Sequence, residues 1–341
     1  MYTFDVETSL KLFSLLYADD TIVMAESEAE LQSALDAVHE YCNKMSLTVN
    51  TIKSKIVIFS RGKVSKYRDF TFGNFNLEVT HEYLYLGVLF GYNTSFNNGI
   101  NRHVSQSKRA IFALLIKCRR LLLPIDIIIE LFDRVIAPIL LYSSEVFGYN
   151  NVTKLDVLQR SFYKRILKLS KATPNGMIYG ETGTLPLSIT INKRMIHFRL
   201  RIITSDPNKL SFKIYKHIIQ LDNSNVYSTH WLSHIKQILQ QCGLFYVWLS
   251  QIDIIDVCTV KLLINTRIDD MYEQTWNASI PSHVRCSCYV LFKSERKLEL
   301  YLYKLNDAQR INLSKFRCRS NYLPISKVYK EHHMCNINCI L

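Results

Sequence analysis

An α+β fold is expected, with β-hairpins and one helix in residues 1–92 and helices through most of the remainder. Three observations predict it. Two apolar runs, Leu12-Phe13-Ser14-Leu15-Leu16 and Ile22-Val23-Met24, flank Tyr17-Ala18-Asp19-Asp20, the pattern of two strands joined by a tight acidic turn. Short strand signals bounded by turn residues then recur as far as residue 90. Beyond residue 100 apolar residues repeat at helical spacing instead.

The elements follow in order. Asp19 and Asp20 would be costly to bury among strand formers unless a cation or proton compensated them. A hairpin tip can present both while the apolar flanks pack below. Nucleotidyl transfer uses such carboxylates to hold divalent metals on the attacking and leaving oxygens, whereas the bland reading is a surface turn. Ser27-Glu28-Ala29-Glu30 is a capping box, and Leu31, Ala34, Leu35, Val38, Cys42 and Met45 line one face of the helix it opens. A polar turn with Lys53 and Lys55 leads to a strand at 56–59. A hairpin is expected over 70–79 with Gly73-Asn74 at its turn, then a strand over 82–90.

Helices are expected at 104–123, where Pro124 interrupts, and at 125–136, ending near Pro138. A third carries the stripe Leu155, Leu158, Phe162, Ile166 and Leu169. Phe112, Phe132 and Tyr163 are assigned to the core. Between 205 and 310 the sequence says less: 231–239 and 294–305 read as amphipathic helices, and 222–225 and 269–270 as loops.

Five blocks in this order resemble the reverse transcriptase of non-LTR (LINE-type) retrotransposons. They are Leu16-Tyr17-Ala18-Asp19-Asp20, the helix after it, Leu47-x-Val49-Asn50-x-x-Lys53-Ser54-Lys55, Gly73-Asn74-x-x-Leu77-Glu78-Val79 and Tyr85-Leu86-Gly87. The likeness continues through 131–148, 162–167 and 173–181. It thins after 205 and returns at Lys315-Phe316-Arg317 with Leu323-Pro324-Ile325.

The resemblance implies an RNA-directed DNA polymerase with Mg2+ as cofactor and an RNA template and DNA primer, or their duplex, as partners. Residues 1–92 would be a partial polymerase palm, 93–200 a basic, helical thumb-like region, and 201–341 a mostly helical C-terminal region ending in a truncated Cys-containing segment. Asp19 and Asp20 would be metal-holding catalytic carboxylates, and Lys53 would protonate the departing pyrophosphate. Tyr17 and the primer-grip hairpin Tyr85-Leu86-Gly87 would contact nucleic acid, as would Lys108, Arg109, Lys117, Arg119 and Arg120. In that family a long fingers-and-palm stretch, including the strand with the first catalytic aspartate, precedes the acidic hairpin. Here 18 residues precede Asp19, and the surroundings of Asp5 do not match that strand. The expectation is a truncated polymerase, inactive alone. The alternative is a non-catalytic nucleic-acid-binding remnant, or a degraded copy without selected function.

Charge agrees with a phosphate-rich partner. The chain carries 42 Lys+Arg against 29 Asp+Glu, a formal +13. The imbalance is uneven: residues 1–60 hold 4 Lys against 9 acids, whereas 100–170 hold 12 Lys+Arg against 5 acids. An acidic hairpin beside a basic arm is what a primer–template duplex requires. The nine cysteines are odd in number, lack framework spacing and follow no leader, so an intracellular protein with reduced thiols is expected. Cys335 and Cys339 with His332 and His333 are not expected to bind zinc, and Cys286-x-Cys288 is read as incidental. The apolar run at 121–129 is too short to span a bilayer, so no membrane partner is expected.

Overall fold

The computed structural model describes residues 14–60, 67–250, 256–283, 286 and 288–320. Two compact units form, Met1–Arg102 with Ser205–Thr229, and His103–Thr204 with His230–Leu341.

In the first unit β1 (Ser14–Tyr17) and β2 (Asp20–Val23) pair antiparallel, with Tyr17 opposite Asp20. The two-residue turn is Ala18-Asp19, and Ala18 takes φ 53°. Positive φ at the first turn position alone is the type II′ pattern. Then α1 (Glu28–Lys44) begins at the expected cap: Ser27 Oγ accepts from Glu30 N at 3.2 Å, and Glu30 Oε2 reaches back to Glu26 N at 3.1 Å. Ala34, Leu35 and Cys42 are buried, whereas Met45, expected on the same face, is the C-cap and exposed.

The next strands form one three-stranded sheet in the order β3-β5-β4. β4 (Phe70–Phe72) and β5 (Phe75–Val79) make the expected hairpin, with Gly73 at φ +58°. β3 (Lys55–Ile56) runs parallel to β5 and is shorter than the strand expected at 56–59. Leu35, Cys42, Ile56, Phe70, Phe72 and Leu77 close a core between this sheet and α1. The stretch 82–90, a single strand by local pattern, is the hairpin that the resemblance implies at Tyr85-Leu86-Gly87: β6 (Glu82–Tyr85) pairs with β7 (Val88–Gly91). Leu86 at φ 46° and Gly87 at φ 81° supply the two left-handed positions of a type I′ turn, which folds the apolar run in two.

Helices follow. α2 (Asn97–Arg120), within which the two units divide, starts earlier and ends sooner than the stretch expected at 104–123. Pro124 caps α3 (Ile125–Leu131), which passes through a π-helical turn (Phe132–Ile136) into α4 (Ala137–Leu140). The helical path therefore continues past Pro138 rather than ending there. The wide turn just before it shifts the backbone register where a residue without an N–H must be accommodated.

Next come α5 (Ser144–Phe147), α6 (Thr153–Ile166), α7 (Asn175–Thr182), α8 (Leu187–Ile203), α9 (Leu210–Asn223), α10 (His230–Gln241), α11 (Phe245–Leu249), α12 (Val257–Ser282), α13 (Tyr301–Lys304) and α14 (Asp307–Arg317). The helix expected at 231–239 is α10. Asp222 and Asn223 close α9 rather than lying in a loop, and Asp269-Asp270 lies inside α12. In the second unit α8 is central: α5, α6, α10 and α12 all pack on it, and Ile191, Met195, Ile196 and Leu200 are fully buried.

Residues 294–300, expected to begin a helix, are not helical; only α13 is. The reason is long-range pairing. Thr182 and Leu298 form a β-bridge, and Glu299 N donates to Glu181 O at 3.1 Å. Glu181 itself is completely buried. Its carboxylate accepts from Arg317 Nε at 3.1 Å to each oxygen and from Arg317 Nη2 at 3.0 Å. The hydroxyls of Tyr289 and Tyr301 donate to it at 2.8 and 2.5 Å. Gly180 makes room, since a Cβ there would lie 2.4 Å from Tyr289 Oη.

Two half-buried histidines make this unit acid-sensitive. Desolvation holds His234 below its ordinary pKa, and desolvation together with the charges of Lys261 and Lys193 does the same for His197. The unfolded chain therefore binds more protons than the folded one as pH falls through the ordinary value of 6.5. Stability should be full above that pH and decline below it. Urea midpoints at pH 7.5 and 5.5 check this, and His234→Gln should reduce the difference.

Candidate nucleic-acid interface and acidic hairpin

Tyr17, Asp19 and Asp20 all lie at the exposed tip of the β1–β2 hairpin, and Tyr17 retains 64% of its exposure. The expected geometry of two carboxylates presented at a turn is therefore present. The apolar packing expected beneath it is partial, since Leu16 is 73% exposed and, among the described residues, β1 and β2 pair only with each other. Neither aspartate forms an ion pair among the described residues.

Lys53 sits in the polar turn that the sequence indicates. Its N–H donates to Asn50 Oδ1 at 3.1 Å, and its carbonyl accepts from Tyr83 Oη at 3.2 Å. That bond fastens the Lys53 turn to the β6–β7 hairpin, whose tip is Leu86-Gly87 with Tyr85 half-buried beside it. No hydrogen bond or ion pair joins the exposed Lys53 ammonium to Asp19 or Asp20. The neighbouring Lys55 is committed to Glu78 at 2.6 Å.

Reverse transcriptases generally use Mg2+, and two carboxylates alone do not make a two-metal clamp. Among the described residues no three His, Cys, Asp or Glu side chains are grouped to hold a metal ion. The residues described here do not fit the group by themselves. Asp5, His332, His333, Cys335 and Cys339 lie outside the described residues. Cys286 is buried beside Cys318 and Tyr289 in a core cluster, and burial pushes its thiol up, so it behaves as a packing residue. Among the described residues, no helix is long and apolar enough to cross a membrane.

The basic face is built on α2. Its 24 residues contain six Lys or Arg and no Asp or Glu. Ile100, Ile111, Leu114, Leu115 and Cys118 are buried along one side. At about 100° per residue, Arg109, Ile116 and Arg120 lie opposite, with Lys108, Phe112 and Arg119 beside them. Lys108, Arg109, Lys117, Arg119 and Arg120 are all exposed and form no ion pair among the described residues. The three in the last turn also complement the negative end of the helix.

Phe132 and Tyr163 are in the core as expected, but Phe112 is 62% exposed. Ile111 occupies the inward position, and the next residue is rotated away from it. Sequence reasoning also missed the Tyr149–His230 cleft and the Glu181–Arg317 cluster, since each joins residues far apart in the chain.

The sequence profile of the family described as "Reverse transcriptase (RNA-dependent DNA polymerase)" matches residues 1–90. The RNA-directed DNA polymerase from mobile element jockey of Drosophila funebris is 28% identical over 164 residues, 44% of this chain and 17% of that protein. A putative uncharacterized transposon-derived protein of Caenorhabditis elegans is 23% identical over 168 residues, 47% of this chain and 58% of that protein. The chain thus spans less than two thirds of either relative. No solved structure is a match. Residues 1–90, which include the Asp19–Asp20 hairpin, carry reverse transcriptase sequence, and the chain is related to the polymerase of the jockey element, a non-LTR retrotransposon.

Proposed function

We propose that the chain binds a template–primer duplex through α2 and does not polymerise by itself. The observation that carries this is the exposed face of α2, where cations stand without a carboxylate anywhere on the helix. A helix carrying so many unpaired cations has its electrostatic complement in a phosphate backbone. Contacts of that kind are little dependent on sequence and strongly dependent on salt.

In this reading residues 1–92 are a partial palm and 93–200 a thumb-like arm, followed by a helical C-terminal region at 201–341. Asp19 is a metal ligand with Asp20 as its neighbouring carboxylate, Lys53 a proton donor, and Tyr17 with Tyr85-Leu86-Gly87 a contact to the primer end. The reading of Lys53 and Tyr85 as one working group is supported by the Tyr83 hydrogen bond that ties their segments together. Among the described residues only two acidic ligands are grouped, which is why no turnover is assigned to this chain alone.

The test is an electrophoretic shift with an RNA–DNA hybrid, run beside primer extension. Asp19→Ala should leave duplex affinity within about twofold, because an exposed turn carboxylate contributes little to phosphate binding. No nucleotide should be incorporated by the chain alone. Sustained extension that Asp19→Ala abolishes would overturn the non-catalytic part, and failure to shift the hybrid at low salt would overturn the whole.

A further inference from the structure

The second unit contains an open cleft of about 370 Å³ lined by Tyr149, Asn150, His230, Ser233, His234 and Gln237. One wall is the segment after α5, and the other is the first two turns of α10. Side chains elsewhere hold the walls in place. Trp231 Nε1 donates to Glu145 O at 2.7 Å, and Arg194 pairs with Glu145 at 3.2 Å. Gly148 lets the end of α5 lie directly on α8, where a Cβ would come 2.4 Å from Ile191 Cγ2. The cleft is thus preorganised by contacts outside itself.

Its interior has three properties. The rings of Tyr149 and His230 are close to parallel, 23° apart with centroids separated by 6.2 Å. Hydrogen-bonding groups remain open around them. Asn150 Nδ2 is used by Phe147 O at 3.1 Å, which leaves Oδ1 as an acceptor, and the Gln237 amide makes no hydrogen bond among the described residues. His234 Nε2 meets Asn192 Oδ1 at 3.2 Å; an amide oxygen only accepts, so Nε2 donates and Nδ1 is left as an acceptor. None of the lining residues is Asp, Glu, Lys or Arg.

We infer that this cleft binds an unpaired nucleobase. A flat ring laid on the Tyr149–His230 pair continues the stack, and Asn150, His234 and Gln237 offer donors and acceptors to its edge. Stacking on aromatic side chains with hydrogen bonds to the base edge is how proteins read unpaired nucleotides. The uncharged lining points away from a phosphate, whose binding needs cations such as those of α2. A transition metal would find two histidines and no third ligand of its usual kinds. This site is separate from the α2 face and does not depend on the duplex reading.

The test titrates the full chain, labelled with 13C at histidine, with adenosine, cytidine, guanosine and uridine in turn. The His230 imidazole signal, identified through His230→Gln, should shift saturably with at least one nucleoside and not with inorganic phosphate. Tyr149→Phe should keep the response and Tyr149→Ala should lose it. Should Tyr149→Ala fail to fold, the exposed Gln237→Ala should weaken the preferred nucleoside about threefold, the effect of one hydrogen bond.

A second arm compares a single-stranded oligonucleotide with an abasic strand of equal length. The base-bearing strand should bind about tenfold more tightly. No shift with any nucleoside, equal affinity for the two strands, or a response to Zn2+ with none to nucleosides would overturn the proposal. The nucleoside arm involves no residue of α2, so its failure and a failure of duplex binding are distinguishable.

Discussion

Arg317→Ala should lower the unfolding free energy by about 3–5 kcal/mol, the cost of leaving a buried charge without its partner. Glu181 has no exposure at all, and Arg317 supplies three of the short contacts to its carboxylate. Burial alone would lower the guanidinium's pKa, but the hydrogen bonds and charge of Glu181 outweigh it, so Arg317 stays charged. Burial, followed by the Glu181 charge, pushes the Tyr289 and Tyr301 hydroxyls up, which keeps both as donors.

The expected ranking separates charge from geometry. Arg317→Lys keeps the charge and loses the two-pronged contact, so it should fall between wild type and Ala. Glu181→Leu combined with Arg317→Met should cost less than Arg317→Ala, because no buried ion is left unpaired. In the double variant Tyr289 Oη can still donate to Met177 O, and Tyr301 Oη still meets Ser314 Oγ at 3.0 Å. Urea denaturation of the four proteins gives the order, and a loss below about 1 kcal/mol for Arg317→Ala would show that the cluster does not hold the 289–317 segment to α7.

Local chemistry made the first unit readable. The Ser27 cap, the Gly73-Asn74 turn and the acidic tip between apolar runs each depend on residues within a few positions of one another. The β6–β7 hairpin was legible only through the resemblance, which implies a hairpin at Tyr85-Leu86-Gly87; the local pattern reads as one strand, because nothing in a leucine signals the positive φ of Leu86. In the second unit the decisive partners are remote. Asp269-Asp270 looks like a loop until Lys193, 76 residues away, pairs with Asp269 at 2.6 Å on α12. The segment 294–300 has helical periodicity, yet its backbone pairs with the end of α7. Of the candidate site, the identities of Asp19, Asp20, Lys53 and the α2 cations were readable. The presentation of Asp19 and Asp20 at a turn was readable as well, but the rotation that places Phe112 among the cations was not.

Changing Lys108, Arg109, Arg119 and Arg120 together to Gln should weaken duplex binding about 10³-fold near 0.1 M salt, since each lost phosphate contact forgoes the release of roughly 0.9 counterion. All four side chains are exposed and unpaired, so the urea midpoint should fall only slightly, through the helix-end charges of Arg119 and Arg120. Nearly unchanged stability with lost binding would place the effect on the surface of α2. Changing Arg119 and Arg120 alone should weaken binding less and about equally for every duplex sequence, as expected of contacts to phosphates rather than bases.

The salt dependence of hybrid binding by the unmodified chain is the most direct measurement. With the five exposed cations at Lys108, Arg109, Lys117, Arg119 and Arg120 engaged, log K should fall with log salt at a slope of about −4.5, or about 500-fold between 50 and 200 mM. The Arg119→Gln, Arg120→Gln variant should flatten that slope to about −2.7. A wild-type slope near zero, or one that this variant leaves unchanged, would contradict duplex binding through α2.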